Sequence, residues 1–167
     1  MRDTDHLIRV LIRTGRRATA AEVQQIIEHV AQAPFASRPM RLTRWLRRAL
    51  EEKGVSIPQS KLPSVELHLL KRIHFDRQWP PGTSVEQFVA DLHRAVRHPD
   101  VQVWTYRWLN ESFAGFLAPS HVQEVVAPEA FIFVAYSADY GTIKTGFQAS
   151  SAEAIFTDEF EHLVRHK

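Results

Sequence analysis

Residues 131–148 read FIFVAYSADYGTIKTGFQ: an apolar run, a turn signal, then a second run carrying hydroxyls and a lysine. Aromatic and β-branched residues dominate both runs, and Ala138-Asp139-Tyr140-Gly141 has turn chemistry. The stretch therefore predicts a hairpin of two strands, Ala130–Tyr136 and Thr142–Gln148. Side chains alternate along a strand, so Ile132, Val134 and Tyr136 share a face opposite Phe131, Phe133 and Ala135. By the same rule Ile143, Thr145 and Phe147 lie opposite Thr142, Lys144, Gly146 and Gln148. One face must carry the core, and the sequence leaves open which, so the hydroxyls of Tyr136 and Thr145 have two possible destinations. Gly146 inside a strand marks a close backbone approach, a bulge or plain curvature.

Upstream of the hairpin, Val101–Leu109 and Phe113–Ala118 predict two more strands joined at Asn110-Glu111. Trp104, Tyr106 and Trp108 alternate on one face of the first, as a core against a helix or as a platform for unpaired bases. Helical spacing appears at Ser64–Ile73, with Val65, Leu69, Leu70 and Ile73 on one stripe, and again from Thr83 to Arg97, where Thr83-Ser-Val-Glu86 has the form of a capping box. The N-terminal third predicts three helices. Residues 5–14 place Leu7, Ile8, Leu11 and Ile12 together. Thr19-Ala-Ala-Glu22 is a second capping box opening a helix to about Gln32, and Arg41–Lys53 sets Leu42, Trp45, Leu46, Ala49 and Leu50 at core spacing before Gly54. Residues 151–166 read as a short polar closing helix.

Helices followed by a strand meander indicate an α+β fold rather than alternating α/β. The expected division is a basic helical segment (1–54), a proline-bearing linker VSIPQSKLP (55–63) and an α+β domain (64–167). In that domain two helices pack on a four-stranded antiparallel sheet.

Composition narrows the chemistry. Cysteine is absent from the 167 residues, which removes thiol nucleophiles, disulfides and cysteine metal sites. No run of about 18 uncharged apolar residues is present, so no membrane span is expected. The first 15 residues intersperse Asp3, Asp5, Arg9 and Arg13 among apolar ones, unlike a signal peptide. A cytoplasmic location is the expectation, with export by a dedicated secretion system left open. Residues 1–62 carry 12 Lys/Arg against 6 Asp/Glu, whereas residues 63–167 carry 9 against 13. A basic arm on a mildly acidic body fits nucleic acid or an acidic partner, or is simply a solvated face. Phosphate-binding glycine loops, GxSxG elbows and dinucleotide fingerprints are all missing. No metal is expected, since the histidines lack ligand spacing on any firmly predicted element.

Two groups of residues stand out. His74-Phe-Asp-Arg77 lies where a helix gives way to Trp79-Pro-Pro-Gly82. An imidazole that moves a proton beside a permanently charged guanidinium is a workable pair for phosphodiester cleavage. Downstream, Thr145, Tyr136 and Lys144 could orient and neutralise a phosphate against the sheet. In the arm, Arg41, Arg44 and Arg48 share a helix face suited to a phosphate backbone.

His74 with Arg77 after a helix, followed by strands ending in IKTGFQ, resembles the barnase/EndoU/RelE-like ribonuclease superfamily, to which many bacterial polymorphic-toxin C-terminal domains belong. Members similar to this chain carry a terminal-strand pattern I-x-T-G-Y. Here Ile143-Lys144-Thr145-Gly146-Phe147 matches it with Phe147 in place of the tyrosine, so Tyr136 or Tyr140 would have to supply a phenol. Over residues 64–150 the resemblance implies metal-independent cleavage of RNA by its 2′-OH, without a cofactor. His74 would be general acid or base, Arg77 and Lys144 would stabilise the phosphate, and Thr145 and Tyr136 would orient it. For a toxin it also implies a neutralising acidic immunity protein as partner. The alternative is a non-catalytic interaction or nucleic-acid-binding domain, such as a toxin-associated adaptor, using Arg41, Arg44 and Arg48.

Overall fold

The computed structural model describes residues 2–167. Five helices and a five-stranded sheet follow in order, with a small two-stranded ribbon between: α1 (Arg2–Thr14), α2 (Ala20–Val30), β1 (Pro39–Arg41), α3 (Arg44–Glu52), β2 (Lys61–Pro63), α4 (Ser64–His74), α5 (Val85–Val96), β3 (Gln102–Trp108), β4 (Glu111–Pro119), β5 (Phe131–Ser137), β6 (Thr142–Ala149) and β7 (Glu161–Arg165). The main sheet is antiparallel throughout, in the order β6-β5-β4-β3-β7. The fold is α+β.

Local signals explain most element starts. Thr19 caps α2 as a full capping box with Glu22, and Thr43 caps α3 through the Leu46 amide. For α5 the cap is Ser84, one residue beyond the expected Thr83, because Thr83 Oγ1 turns back to the Pro80 carbonyl. The β3–β4 turn is also displaced by one residue. Trp108 pairs with Glu111, and Leu109 and Asn110 both take positive φ (50° and 63°), the geometry of a two-residue hairpin turn.

The sheet has one strand more than expected, and the closing helix is not formed. Residues 151–160 make an irregular segment, and Glu161–Arg165 pairs antiparallel with β3. His166 explains the anchoring: it is buried, and its ring bonds the Thr105 hydroxyl and the Ala18 amide. Nor do the N-terminal helices stand apart from the sheet. Ile8, Leu11 and Ile12 of α1 and Val23, Ile26 and Val30 of α2 join one core with Phe88 and Leu92 of α5 and with Phe116, Ile132 and Val134 of the sheet. Only α3 has its own small cluster, Leu42, Leu46 and Leu50 against Leu62 and Leu67. Trp45, expected in that core, is 75% exposed, because the Leu42-Leu46-Leu50 row alone faces inward.

The helices cover the sheet face carrying Ile132, Val134 and Tyr136. The other face carries Trp104, Tyr106, Trp108, Phe113, Phe133 and Phe147; the irregular segment 152–160 lies over it through Ile155, Phe156 and Phe160, and α4 reaches its β6 edge through Arg72 above Phe147.

Candidate functional site

A bulge in the edge strand decides which side chains reach this second face. Ala135 pairs with Thr145 but Tyr136 pairs with Ile143, so Lys144 has no partner opposite it. The extra residue inverts the alternation. Ile143 turns to the helix-covered core while Thr145 and Phe147 turn to the aromatic face. Gly146 then faces α5, where a Cβ would lie 2.5 Å from Leu92 Cδ2. Its close backbone approach is to a helix.

The outer edge of β6 is closed by side chains and by the chain before β1. Ile143 exchanges backbone hydrogen bonds with Pro34 and Ala36, Arg72 Nε donates to the Gly146 carbonyl at 2.9 Å, and Gln78 holds the Gln148 amide. This closure presses α4 against β6 and places two of its residues, four apart and on one helix face, beside Thr145. Arg72 Nη2 donates to Thr145 Oγ1 at 3.3 Å, and His68 Nδ1 lies 3.5 Å from the same oxygen. Asp76 steadies the guanidinium through Nη1 at 2.7 Å, and Phe147 lies under it at 5.5 Å.

His68 and Thr145 lie on the polar rim of an open cleft of about 630 Å³, with Arg72 bonded to Thr145 from behind. His68, Lys144, Thr145 and Glu111 line one end, and Tyr106, Trp108, Phe113 and Phe160 line the aromatic walls. Lys144 Nζ sits 3.6 Å from Glu111 Oε2 and 4.4 Å above the Tyr140 ring. Trp108 Nε1 and Glu111 Oε2 are buried without a hydrogen-bond partner. Unmade bonds of this kind are costly and uncommon. Burial, reinforced by the nearby charges of Arg72, Lys71 and Lys144, draws the His68 imidazole down to about 4, so it is neutral at pH 7.

The residues singled out in the sequence are distributed over three places. Thr145 and Lys144 belong to the cleft. Tyr136 lies on the opposite face of the sheet, fully buried, its hydroxyl donating to Asp5 Oδ1 at 2.6 Å. That leaves the phenolic oxygen as acceptor for His29 Nε2 at 2.9 Å. Burial and Asp5 push the Tyr136 hydroxyl far up, so it stays protonated and structural. His74 and Arg77 line a separate depression with Lys53, Trp79 and Glu124. Six residues carry His74 roughly 240° around the helix from His68, so both cannot face β6. Arg41, Arg44 and Arg48 are exposed on β1 and α3, outside the cleft.

Sequence reasoning passed over His68, Arg72 and Glu111. The first two carried one signal, their four-residue spacing on a predicted helix, which became informative only once α4 was seen against β6. Glu111 carries only the signal of a turn residue in the sequence. Among the described residues no group of three or more His, Asp or Glu is placed to hold a metal ion. The chain matches no protein-family model, no curated protein and no solved structure.

Proposed function

We propose that the chain is a metal-independent endoribonuclease whose reaction centre is the rim of this cleft, with His68 as the base. The observation that carries the reading is the convergence of a neutral imidazole and the Arg72 guanidinium on the Thr145 hydroxyl, with Lys144 lining the same end of an aromatic slot. An imidazole already unprotonated at pH 7 can take the proton of a ribose 2′-OH. The 2′-oxygen then bonds to phosphorus, and the bond from phosphorus to the 5′-oxygen breaks. Lys144, held by Glu111, gives its proton to the departing 5′-oxygen. The products are a 2′,3′-cyclic phosphate and a 5′-hydroxyl end, and solvent exchange restores both side chains. Arg72 and the Thr145 hydroxyl stabilise the non-bridging oxygens as charge builds on them. The aromatic lining, in which Trp108 stacks on Phe160, gives an unstacked base an apolar wall to lie against.

The test is cleavage of a short labelled RNA in EDTA. His68→Ala should reduce the rate by roughly 10²–10⁴-fold, the usual contribution of a positioned acid or base. Thr145→Val and Arg72→Ala should also slow it, whereas His74→Ala and Arg77→Ala should not. Cleavage that ignores His68 but requires His74 would move the reaction to the other depression. A second reading, a cleft that binds without cutting, is favoured by its largely aromatic lining. It predicts His68-dependent RNA binding with no product at all.

A further inference from the structure

The exposed tryptophan on α3 has no structural task. Trp45 is 75% exposed, and among the described residues no aromatic ring and no guanidinium stacks on it. A large indole left in water is uncommon, because Trp is highly buried on average. Its surroundings share one charge. Arg38, Arg41, Arg44 and Arg48 are all exposed, and residues 38–50 contain no Asp or Glu. Arg47 is the exception that shows what a structural arginine looks like here: its guanidinium is committed to the carbonyls of Ile57 and Gln59. The four others make no recorded side-chain bond among the described residues. Carboxylates return only at Glu51 and Glu52, at the far end of the helix.

We infer that this face is a second binding surface for single-stranded RNA, with Trp45 stacking an unpaired base and Arg41, Arg44 and Arg48 contacting flanking phosphates. A free ring face among guanidinium groups is the combination that single strands use, since every base has a π-face and every linkage a charge. An acidic protein can also use a tryptophan set among arginines; RNA is preferred because the proposed reading of the cleft already calls for it, and polyglutamate competition separates the two. The surface lies one helix away from the cleft. On α4, Leu67 packs in the α3 cluster while the adjacent His68 faces β6. The inference rests on the proposed reading for its ligand class, RNA, but needs no cleavage.

The experiment uses the full chain with His68 intact, in EDTA, with a fluorescein-labelled 20-nucleotide 2′-O-methyl oligo(U), which has no 2′-OH to attack, read by anisotropy. Trp45→Ala should weaken binding about tenfold, within the range measured for loss of one stacked base, and Trp45→Phe should restore most of it. Arg44→Ala and Arg48→Ala should each lower the slope of log affinity against log salt by about one. A duplex of equal length should bind more weakly, and polyglutamate should not compete. The inference is overturned if Trp45→Ala binds as the parent does, if the duplex binds as tightly as the single strand, or if polyglutamate displaces the RNA. It is also overturned if the chain does not bind the 2′-O-methyl oligo(U). Trp45-dependent binding by a chain that never cuts RNA would sustain the surface and remove the catalytic reading; His68-dependent cutting with Trp45-independent binding would do the reverse.

Discussion

One face of the sheet, carrying Phe116, Ile132 and Val134, lies under the helices and is fully buried; the other, carrying Tyr106, Trp108 and Phe133, is closed along residues 152–160 and by Arg72 at its β6 edge, and opens as a cleft beside β6. The same strands supply both. Aliphatic chains on the first face interlock with Ile8, Leu11 and Leu92 and leave no room for a ligand. Aromatic rings on the second meet little more than one irregular segment, and rigid rings covered by few partners leave concave space. The difference teaches where to look for chemistry. A sheet commits one face to stability, and the face left partly covered can gather polar groups from its edges around an apolar slot.

The largest expected contrast comes from deleting a ring on each face. Phe116→Ala should cost about 3–5 kcal/mol in denaturant unfolding, as for a fully enclosed aromatic side chain. Phe160→Ala should cost only about 1–2 kcal/mol, since Phe160 is half-buried against the cleft. Equal losses would mean that the second face is as much a core as the first.

The glycine at the bulge sharpens the comparison. Gly146→Ala forces a methyl into Leu92 on the helix side and should destabilise by about 1–3 kcal/mol, the usual cost of overpacking. Thr145→Val, one residue away but facing the cleft, should melt close to the parent while losing activity. A harmless Gly146→Ala would show that α5 sits farther from β6 than the structure has it.

Acid should act on the cleft side through His68. Its imidazole falls from 6.5 to about 4 on folding, so between these values the unfolded chain binds a proton that the folded chain refuses. Stability from this group is therefore complete above about pH 6.5 and is lost as the pH falls toward 4. His68→Asn should flatten that part of the profile in urea titrations. The flattening should be partial, since His166, lowered mainly by burial, acts in the same direction. If cleavage uses the neutral imidazole, its acid limb should lie near pH 4 rather than 6.5.

The smallest effect is at the cleft rim. Leu109 occupies a turn position with φ of 50° and is 76% exposed. Leu109→Gly should relieve that conformation and stabilise by up to about 1 kcal/mol, measured as a rise in melting temperature. A drop instead would mean that the Leu109 side chain contributes more as cleft lining than its backbone costs.

Much of this fold was legible from short-range pattern. The 3.6-residue spacing of Val65, Leu69 and Ile73 and the alternation of Ile132, Val134 and Tyr136 located their elements because backbone geometry fixes those periods locally. The capping box at Thr19 was readable for the same reason. The site was legible only in part. Thr145 and Lys144 stood out by their chemistry, but strict alternation put Ile143 and Thr145 on one face, and the bulge at Lys144 separates them. Tyr136 looked catalytic as a strand phenol, yet its face is the one beneath α1 and α2, where Asp5 and His29 absorb its hydroxyl.

From its sequence alone, then, this chain determines most of its helices and the four strands between residues 101 and 149, that the class is α+β, and that cysteine chemistry is absent. Only the tertiary structure decided which sheet face the helices cover, that His68 rather than His74 meets Thr145, that residues 161–165 join the sheet, and that Trp45 stands in solvent. The physical reason is one of range. Secondary structure follows from contacts a few residues apart, whereas a face, a bulge register and a helix-to-edge contact are set by pairings such as Arg72 with Gly146, 74 residues away, whose formation depends on how the whole core closes.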